Sequence, residues 1–178
     1  LMFRNAVLTL AKDHAFARAL VNSGRLSVPA CLSTSRLNTP DSEPFQGSMQ
    51  PGAAMDDAPM EEDGQACWLL DHVGGRFMAL VCVSDPAALD AETLDAFHAL
   101  SAGVIPVEVV LISSVPGRAP EGLRVFRDSA GRFAERYDSQ AGTVYLLRPD
   151  QHVAARWRNF DLDTVRAALA RASATLHS

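Results

Sequence analysis

Apolar positions recur every three or four residues from Asn5 to Val21, with Leu8, Ala11, Ala15 and Ala19 beside Val7, Leu10, Phe16 and Leu20, and Asn22-Ser23-Gly24 then supply a stop. This spacing predicts a helix with a broad apolar stripe. No partner element follows it directly, so the stripe must be buried on the later part of the chain, on a second copy, or on a part of a larger parent protein. From Arg25 to Gly64 the periodicity disappears into Ser, Thr, Gly, Met and acids, with Pro29, Pro40, Pro44, Pro51 and Pro59 spread through the stretch. Proline at these intervals interrupts regular structure over most of it. A stretch of forty residues without an element reads as a linker, or as an arm lying over a surface.

Beyond that point strand and helix patterns alternate. Phe77 to Val83 (FMALVCV) is a continuous apolar run bounded by Gly74-Gly75 and Asp85-Pro86, which suits a central strand buried on both faces. A helix is expected over 86–101, capped by Ser84 or Asp85, with Leu89, Leu94, Phe97 and Leu100 inward. Val107 to Ser113 is a second strand, Leu123 to Arg127 a short one, and Gly131 to Ser139 a short helix. Thr143 to Leu147 and Val153 to Trp157 flank Arg148-Pro149-Asp150-Gln151-His152, a hairpin signature, and a last helix follows over 162–176, capped by Asp161, with Val165, Ala168, Leu169 and Ala172 inward. The order β-α-β, crossover, β-β-α describes an α/β fold. Its expected form is a thioredoxin-like mixed sheet with helices on both faces, preceded by an N-terminal helix and an extended arm. The expected segments are 1–24 for the helix, 25–66 for the arm and 67–178 for the domain.

Composition narrows the function classes. Hydrophobic residues make up 48% and charged residues 21% of the 178, a globular balance. A net charge of −5, with Lys12 as the one lysine, argues against nucleic-acid binding. Most apolar stretches are short for a membrane span and the N-terminus lacks signal-peptide features, so a cytoplasmic protein is expected. Cys31, Cys67 and Cys82 form no CxxC pair, and Cys67 with His72 is the nearest approach to metal-ligand spacing, so no metal site is expected. A thioredoxin-type nucleophile would follow the first core strand, where this chain reads Val83-Ser84-Asp85-Pro86 without a cysteine. Cys82 lies inside the apolar run as a small core residue, and no proline precedes Thr143. Gly74-Gly75 lacks dinucleotide-loop spacing, and His14, His72, His98, His152 and His177 stand near no recognisable nucleophile motif. No catalytic or cofactor-binding residue is therefore assigned. The alternative is a free-standing thioredoxin- or peroxiredoxin-like thiol protein using Cys31, Cys67 or Cys82.

Arginines are the remaining candidates. Arg148, Arg156 and Arg158 gather around the hairpin with Trp157, and strand alternation puts Arg156 and Arg158 on the face opposite Trp157. They form either a solvated face or an interface anchor. Charge is also uneven: Asp41 to Asp95 holds twelve acids against Arg76 alone, while Arg118 to Arg171 holds ten arginines against seven acids. Such polarity can orient a docking partner or a second subunit.

The segments ARALVNSGRLSVPACLSTSRLNTPD (17–41), PGAAMDDAPM (51–60), WLLDHVGGRF (68–77) and YLLRPDQHVAARWR (145–158) resemble the C-terminal region of class A FAD-dependent aromatic hydroxylases, in particular relatives of phenol hydroxylase and 3-(3-hydroxyphenyl)propionate hydroxylase. The resemblance implies a thioredoxin-like C-terminal domain without redox cysteines, in a parent enzyme that binds FAD, uses NAD(P)H and hydroxylates an aromatic ring. It implies that the helix over 5–21 closes a flavin-binding domain, that this domain is the principal partner, and that the C-terminal domain has a structural role, helps cover the active site or builds a homodimer. The family's flavin-binding motifs have no counterpart here, so FAD and NAD(P)H would bind the parent and not this chain.

Overall fold

The computed structural model describes residues 30–175, and the helix expected over 5–21 lies outside them. The two apolar runs form the centre of the sheet: β3 (Phe77–Cys82) lies parallel to β4 (Val107–Ser113), with Phe77 opposite Val107 and Cys82 opposite Ile112. β5 (Arg124–Arg127) extends the parallel set beyond β4. On the other side β6 (Val144–Leu147) runs antiparallel to β3, and β7 (Val153–Trp157) returns from it as the expected hairpin. With β1 (Pro59–Glu62) and β2 (Gln65–Trp68), the sheet has seven strands among the described residues, in the order β2-β1-β5-β4-β3-β6-β7. β1 and β2 form a hairpin that apolar periodicity does not reveal, because Pro59-Met60-Glu61-Glu62 reads as loop. β1 is held against β5 instead by cross-strand ion pairs, described below.

Alternation along the strands builds two cores. Ala79, Val81, Val109, Leu111, Val144 and Leu146 point to one face. That face is covered by α1 (Ala91–Ser101), through Phe97 and Leu100, and by α3 (Leu162–Ala172), through Val165, Ala168, Leu169 and Ala172. Met78, Leu80, Cys82, Val110, Ile112, Tyr145 and Leu147 point to the other. Each helix begins at an aspartate whose carboxylate accepts a backbone N–H: Asp90 from Thr93 (2.8 Å) and Asp161 from Thr164 (2.7 Å). α1 starts later than the sequence predicts. Asp85 does cap, but it caps only a 3₁₀ turn, Pro86–Ala88, and the helix proper restarts at Asp90. α3 ends at Ala172 with Ser173 as its cap, a turn earlier than expected.

The second face is closed by α2 (Arg132–Tyr137) and by the arm. Residues from Cys31 onward form one compact unit. Met49, Ala53, Met55 and Ala58 of the arm are each at least nine-tenths buried, against Phe133, Tyr137, Tyr145 and Val153. The arm also satisfies the free edge of β7. Gly52 N–H donates to Val153 O (2.7 Å), Val153 N–H to Ala53 O (2.9 Å) and Met55 N–H to Gln151 O (2.9 Å). At the irregularity where β7 slips past β6, Thr39 N–H donates to the Ala154 carbonyl (2.9 Å). An edge strand left bare would template aggregation, and here irregular backbone covers it. Gly52 is required at this crossing: its φ is +92°, and a Cβ there would lie 2.5 Å from the Leu32 carbonyl.

Candidate functional site

Two places carry the chemistry of the chain: the loop after β3, and the hairpin with its arginines. At the first, Asp85 accepts the Ala87 N–H (2.9 Å), Pro86 is buried, and no thiol stands at a helix start. Cys82, the last residue of β3, is 6% exposed, and burial pushes its thiol up to about 12, despite a hydrogen bond with Ser139 that acts the other way. Burial also pushes the Cys67 thiol up. Both shifts oppose thiolate formation, which is the reverse of what a redox cysteine needs. Cys31 is exposed, with its sulfur 3.5 Å from Gln50 Nε2. Where thioredoxins carry a proline before the next strand, Gly142 donates its N–H to Cys82 O (2.8 Å), a bond that proline cannot make. A Cβ at Gly142 would also lie 2.8 Å from Arg158 O.

The histidines serve as local hydrogen-bond partners. His72 Nδ1 faces Arg124 (3.0 Å), His98 Nε2 faces Glu121 O (3.4 Å) and His152 Nδ1 faces Asp150 O (3.0 Å), whereas His14 and His177 lie outside the described residues. Among the described residues no group of three His, Cys, Asp or Glu side chains is arranged to hold a metal, and no helix is long and apolar enough to cross a membrane.

The hairpin arginines are brought together, and what they grip is the arm. Arg156 is 4% exposed and makes a two-pronged pair with Asp41, at 3.0 and 2.7 Å. Arg158 donates to the Asp138 carboxylate and carbonyl (2.5 Å each) and to Pro44 O (2.9 Å), and its backbone N–H donates to Glu43 (2.9 Å). Both guanidinium groups lie on the Phe45 ring, with Arg158 3.7 Å and Arg156 4.4 Å from its centre. The Gln46 N–H and Arg158 hold the Asp138 carboxyl below its ordinary value. Beneath this clamp Phe133 stacks on Tyr137, which meets Tyr145 edge to face; Tyr137 donates to Asp56 O (2.5 Å) and Tyr145 to Tyr137 O. Burial pushes the Tyr145 hydroxyl up to about 12, which keeps it a donor. Trp157 points the other way, as alternation requires, and is buried in the helix-covered core. Arg148 stays at the turn, 2.6 Å from Asp150.

The charge polarity of the sequence is matched within the chain. Glu62 accepts two bonds from Arg124 (2.7 and 3.0 Å), and Glu61 accepts from Arg127 (3.1 Å) and Ser129 (2.6 Å). Glu108 accepts from Arg124 (3.3 Å) and from Arg76. Arg124 holds the Glu62 carboxyl, and Ser129 first and then Arg127 hold the Glu61 carboxyl, below their ordinary values. The acid-rich early half is thus complementary to the arginine-rich later half, with partners such as Asp41 and Arg156 lying 115 residues apart. Asp41, Glu43 and Phe45 are clamp residues that sequence reasoning missed. The available signal was Phe45, the one aromatic between Arg25 and Ala66.

Comparison with known proteins places this geometry. The fold is similar to that of the flavin-dependent monooxygenase PieE, solved with FAD and substrate, at 25% identity and a TM-score of 0.56 over 79% of this chain and 24% of that one. It is also similar to aklavinone-11 hydroxylase, solved with FAD and aklavinone, at 21% identity and a TM-score of 0.56 over 78% of this chain and 25% of that one. The chain therefore spans about a quarter of the length of these two enzymes. A thiol peroxidase from Chromobacterium violaceum shares the fold over 78% of this chain and 97% of its own, at 11% identity and a TM-score of 0.55. The fold is thus thioredoxin-like. A search of curated proteins returns no match. Residues 58–172 match the family described as the HcaD C-terminal domain, and the chain belongs to that family.

Proposed function

We propose that this chain is the C-terminal accessory domain of an FAD-dependent, NAD(P)H-using aromatic-ring monooxygenase, and that it carries out no catalysis of its own. Membership of a family of C-terminal domains and the likeness to a quarter of two flavin-dependent enzymes support the reading. The observation that carries it against a thiol enzyme is the site after β3, where Ser84-Asp85-Pro86 replaces a nucleophile and the adjacent Cys82 thiol is buried and pushed up to about 12.

In this reading the domain is cytoplasmic, docks on the flavin-binding domain of its parent and takes part in a homodimer. Flavin and nicotinamide chemistry reside in that other domain. Arg156 and Arg158 act from within by fixing the arm, which sets where the chain arriving from upstream meets the domain. Arg148 is held at the hairpin turn by Asp150. The test is to titrate the purified chain with FAD, NADPH and a phenolic substrate, and separately with peroxide and a thiol reductant. The expected result is no stoichiometric flavin, no NADPH oxidation and no peroxide turnover, together with an in-frame flavin-binding region upstream in the gene. Stoichiometric FAD binding with substrate-dependent NADPH oxidation would overturn the assignment. Peroxide turnover through a sulfenic acid would establish the thiol enzyme instead.

A further inference from the structure

The two edges of the sheet differ. The arm covers β7, whereas β2 stands at the opposite end with β1 as its one neighbour, and no isolated bridge among the described residues reaches it. Register decides which of its backbone groups face outward. Leu69 N–H donates to Ala58 O (2.9 Å) in the same register as β1 and β2, so the hydrogen-bonded pairs of this ladder are Ala58 with Leu69, Met60 with Cys67 and Glu62 with Gln65. The intervening Ala66 and Trp68 turn their backbone groups away from β1, as Glu61, opposite Ala66, turns its own toward Arg127 of β5. No backbone group elsewhere in the described residues pairs with Ala66 or with the Trp68 N–H. Edge strands are ordinarily protected by lysine, proline, a bulge or a covering segment. Gln65-Ala66-Cys67-Trp68 carries neither charge nor proline, its register with β1 is unbroken, and Trp68 is 52% exposed.

We propose that β2 is a dimerisation edge, where β2 of one copy pairs antiparallel with β2 of a second copy about a two-fold axis at Cys67. The occupant is a second copy because the edge complements itself in this register. Pairing centred on Cys67 sets Ala66 of each copy opposite Trp68 of the other, and these are the residues whose backbone groups face outward, so each finds a partner. Each indole then lies beside an alanine of the other copy, whose methyl group leaves it room. The strand is uncharged, so no like charges within it oppose the approach. Centring the pair on Ala66 instead would set Trp68 opposite Gly64, which lies in the turn at a φ of +77° and outside the strand. The inference rests on the homodimer of the proposed function and names its surface; it is independent of the flavin reading.

The test is sedimentation equilibrium of the whole 178-residue chain over a range of concentrations. A reversible monomer–dimer equilibrium is expected, and Trp68→Ala should weaken it by roughly tenfold or more, as loss of an interface tryptophan does. Ala66→Pro removes an N–H that faces away from β1, so it should abolish dimerisation while the melting temperature measured at monomeric concentration is unchanged. In a Cys31→Ser background, diamide should couple Cys67 to Cys67 of the second copy, each thiol giving up one electron and one proton to the reagent. A non-hydrogen-bonded pair sets its Cα atoms ~4.5 Å apart, within the span of a disulfide. A monomer at every concentration would overturn the proposal together with the homodimer reading. A dimer that survives both substitutions, or that yields no Cys67 cross-link, would overturn the β2 surface and leave the homodimer standing on another.

Discussion

The two faces of the sheet are covered by different means. One face carries α1 and α3, whose inward residues repeat at helical spacing and bury Phe97, Leu100, Val165 and Leu169. The other carries α2 and an irregular arm, whose Met49, Ala53, Met55 and Ala58 have no helical or strand period and yet are buried to the same degree. A helix satisfies its own backbone and needs only an apolar stripe. An arm must borrow partners for its backbone, and this one takes them from the edge of β7 and from Arg158. The price is dependence on contacts made across the length of the chain. The helix face also joins distant stretches, Ala79 with Ala172, but its helices satisfy their own backbones, whereas the arm's hydrogen bonds reach partners about 80 to 115 positions away.

The largest effect is expected from removing the arm. A chain beginning at residue 58, where the match to the family begins, loses Met49, Ala53 and Met55 from the core and exposes the β7 edge. Those losses together rival the ~5–15 kcal/mol that holds an ordinary domain folded. Fragment 58–178 is expected to show no cooperative thermal transition, whereas fragment 31–178 retains one. A cooperative transition in the shorter fragment would mean that the arm is an ornament.

A matched pair of substitutions sharpens the comparison. Met55 on the arm face is 7% exposed and Leu169 on the helix face 8%. Truncation of either to alanine is expected to cost about 3 kcal/mol by urea denaturation, since equal burial in real cores gives comparable losses. A cost for Met55→Ala below about 1 kcal/mol, the range of surface substitutions, would separate the faces. Asp41→Ala comes next. It strands the Arg156 charge in a site that is 4% exposed, and should cost about 2 kcal/mol, discounted from the fully buried case because the Asp41 side chain is 28% exposed. The double variant Asp41→Ala/Arg156→Met removes the stranded charge and should recover part of that loss.

How far the sequence disclosed this division follows from the same physics. β4 and β7 begin and end at the residues the apolar runs predict, β3 ends one residue short, and the inward set of α3 is as periodicity places it. In each case the signal and the burial lie in one continuous stretch. The cap expected for α1, Ser84 or Asp85, was misplaced, because Asp85 closes only the 3₁₀ turn and Asp90 caps the helix that restarts after it. β1 was illegible because its pairing rests on Glu61 and Glu62 meeting arginines across the sheet. The clamp was half legible: the shared face of Arg156 and Arg158 follows from alternation, but their partners are set by long-range contact.

Acid should produce the smallest difference between the faces. Asp138, which holds the arm through the Gln46 N–H and Arg158, has its carboxyl shifted below the ordinary value. The helix caps Asp90 and Asp161 are shifted the same way by Thr93 and Thr164. A carboxyl depressed in the folded state contributes stability that is complete above its unfolded value and is lost as pH falls through its folded value. Melting temperature should therefore hold from neutral pH down to the ordinary carboxylate range and decline below it. Asp138→Asn should flatten part of that decline, and an unchanged acid limb would remove Asp138 from the clamp.

Native-state amide hydrogen exchange tests most directly whether arm and sheet are one cooperative unit. The amides of Gly52, Met55 and Val153, bonded across the arm and β7, should exchange only through global opening, at the same free energy as the β3 amides. Exchange of Gly52 and Met55 through a separate low-energy opening, while β3 and the helix face stay protected, would contradict the account and reduce the arm to a linker.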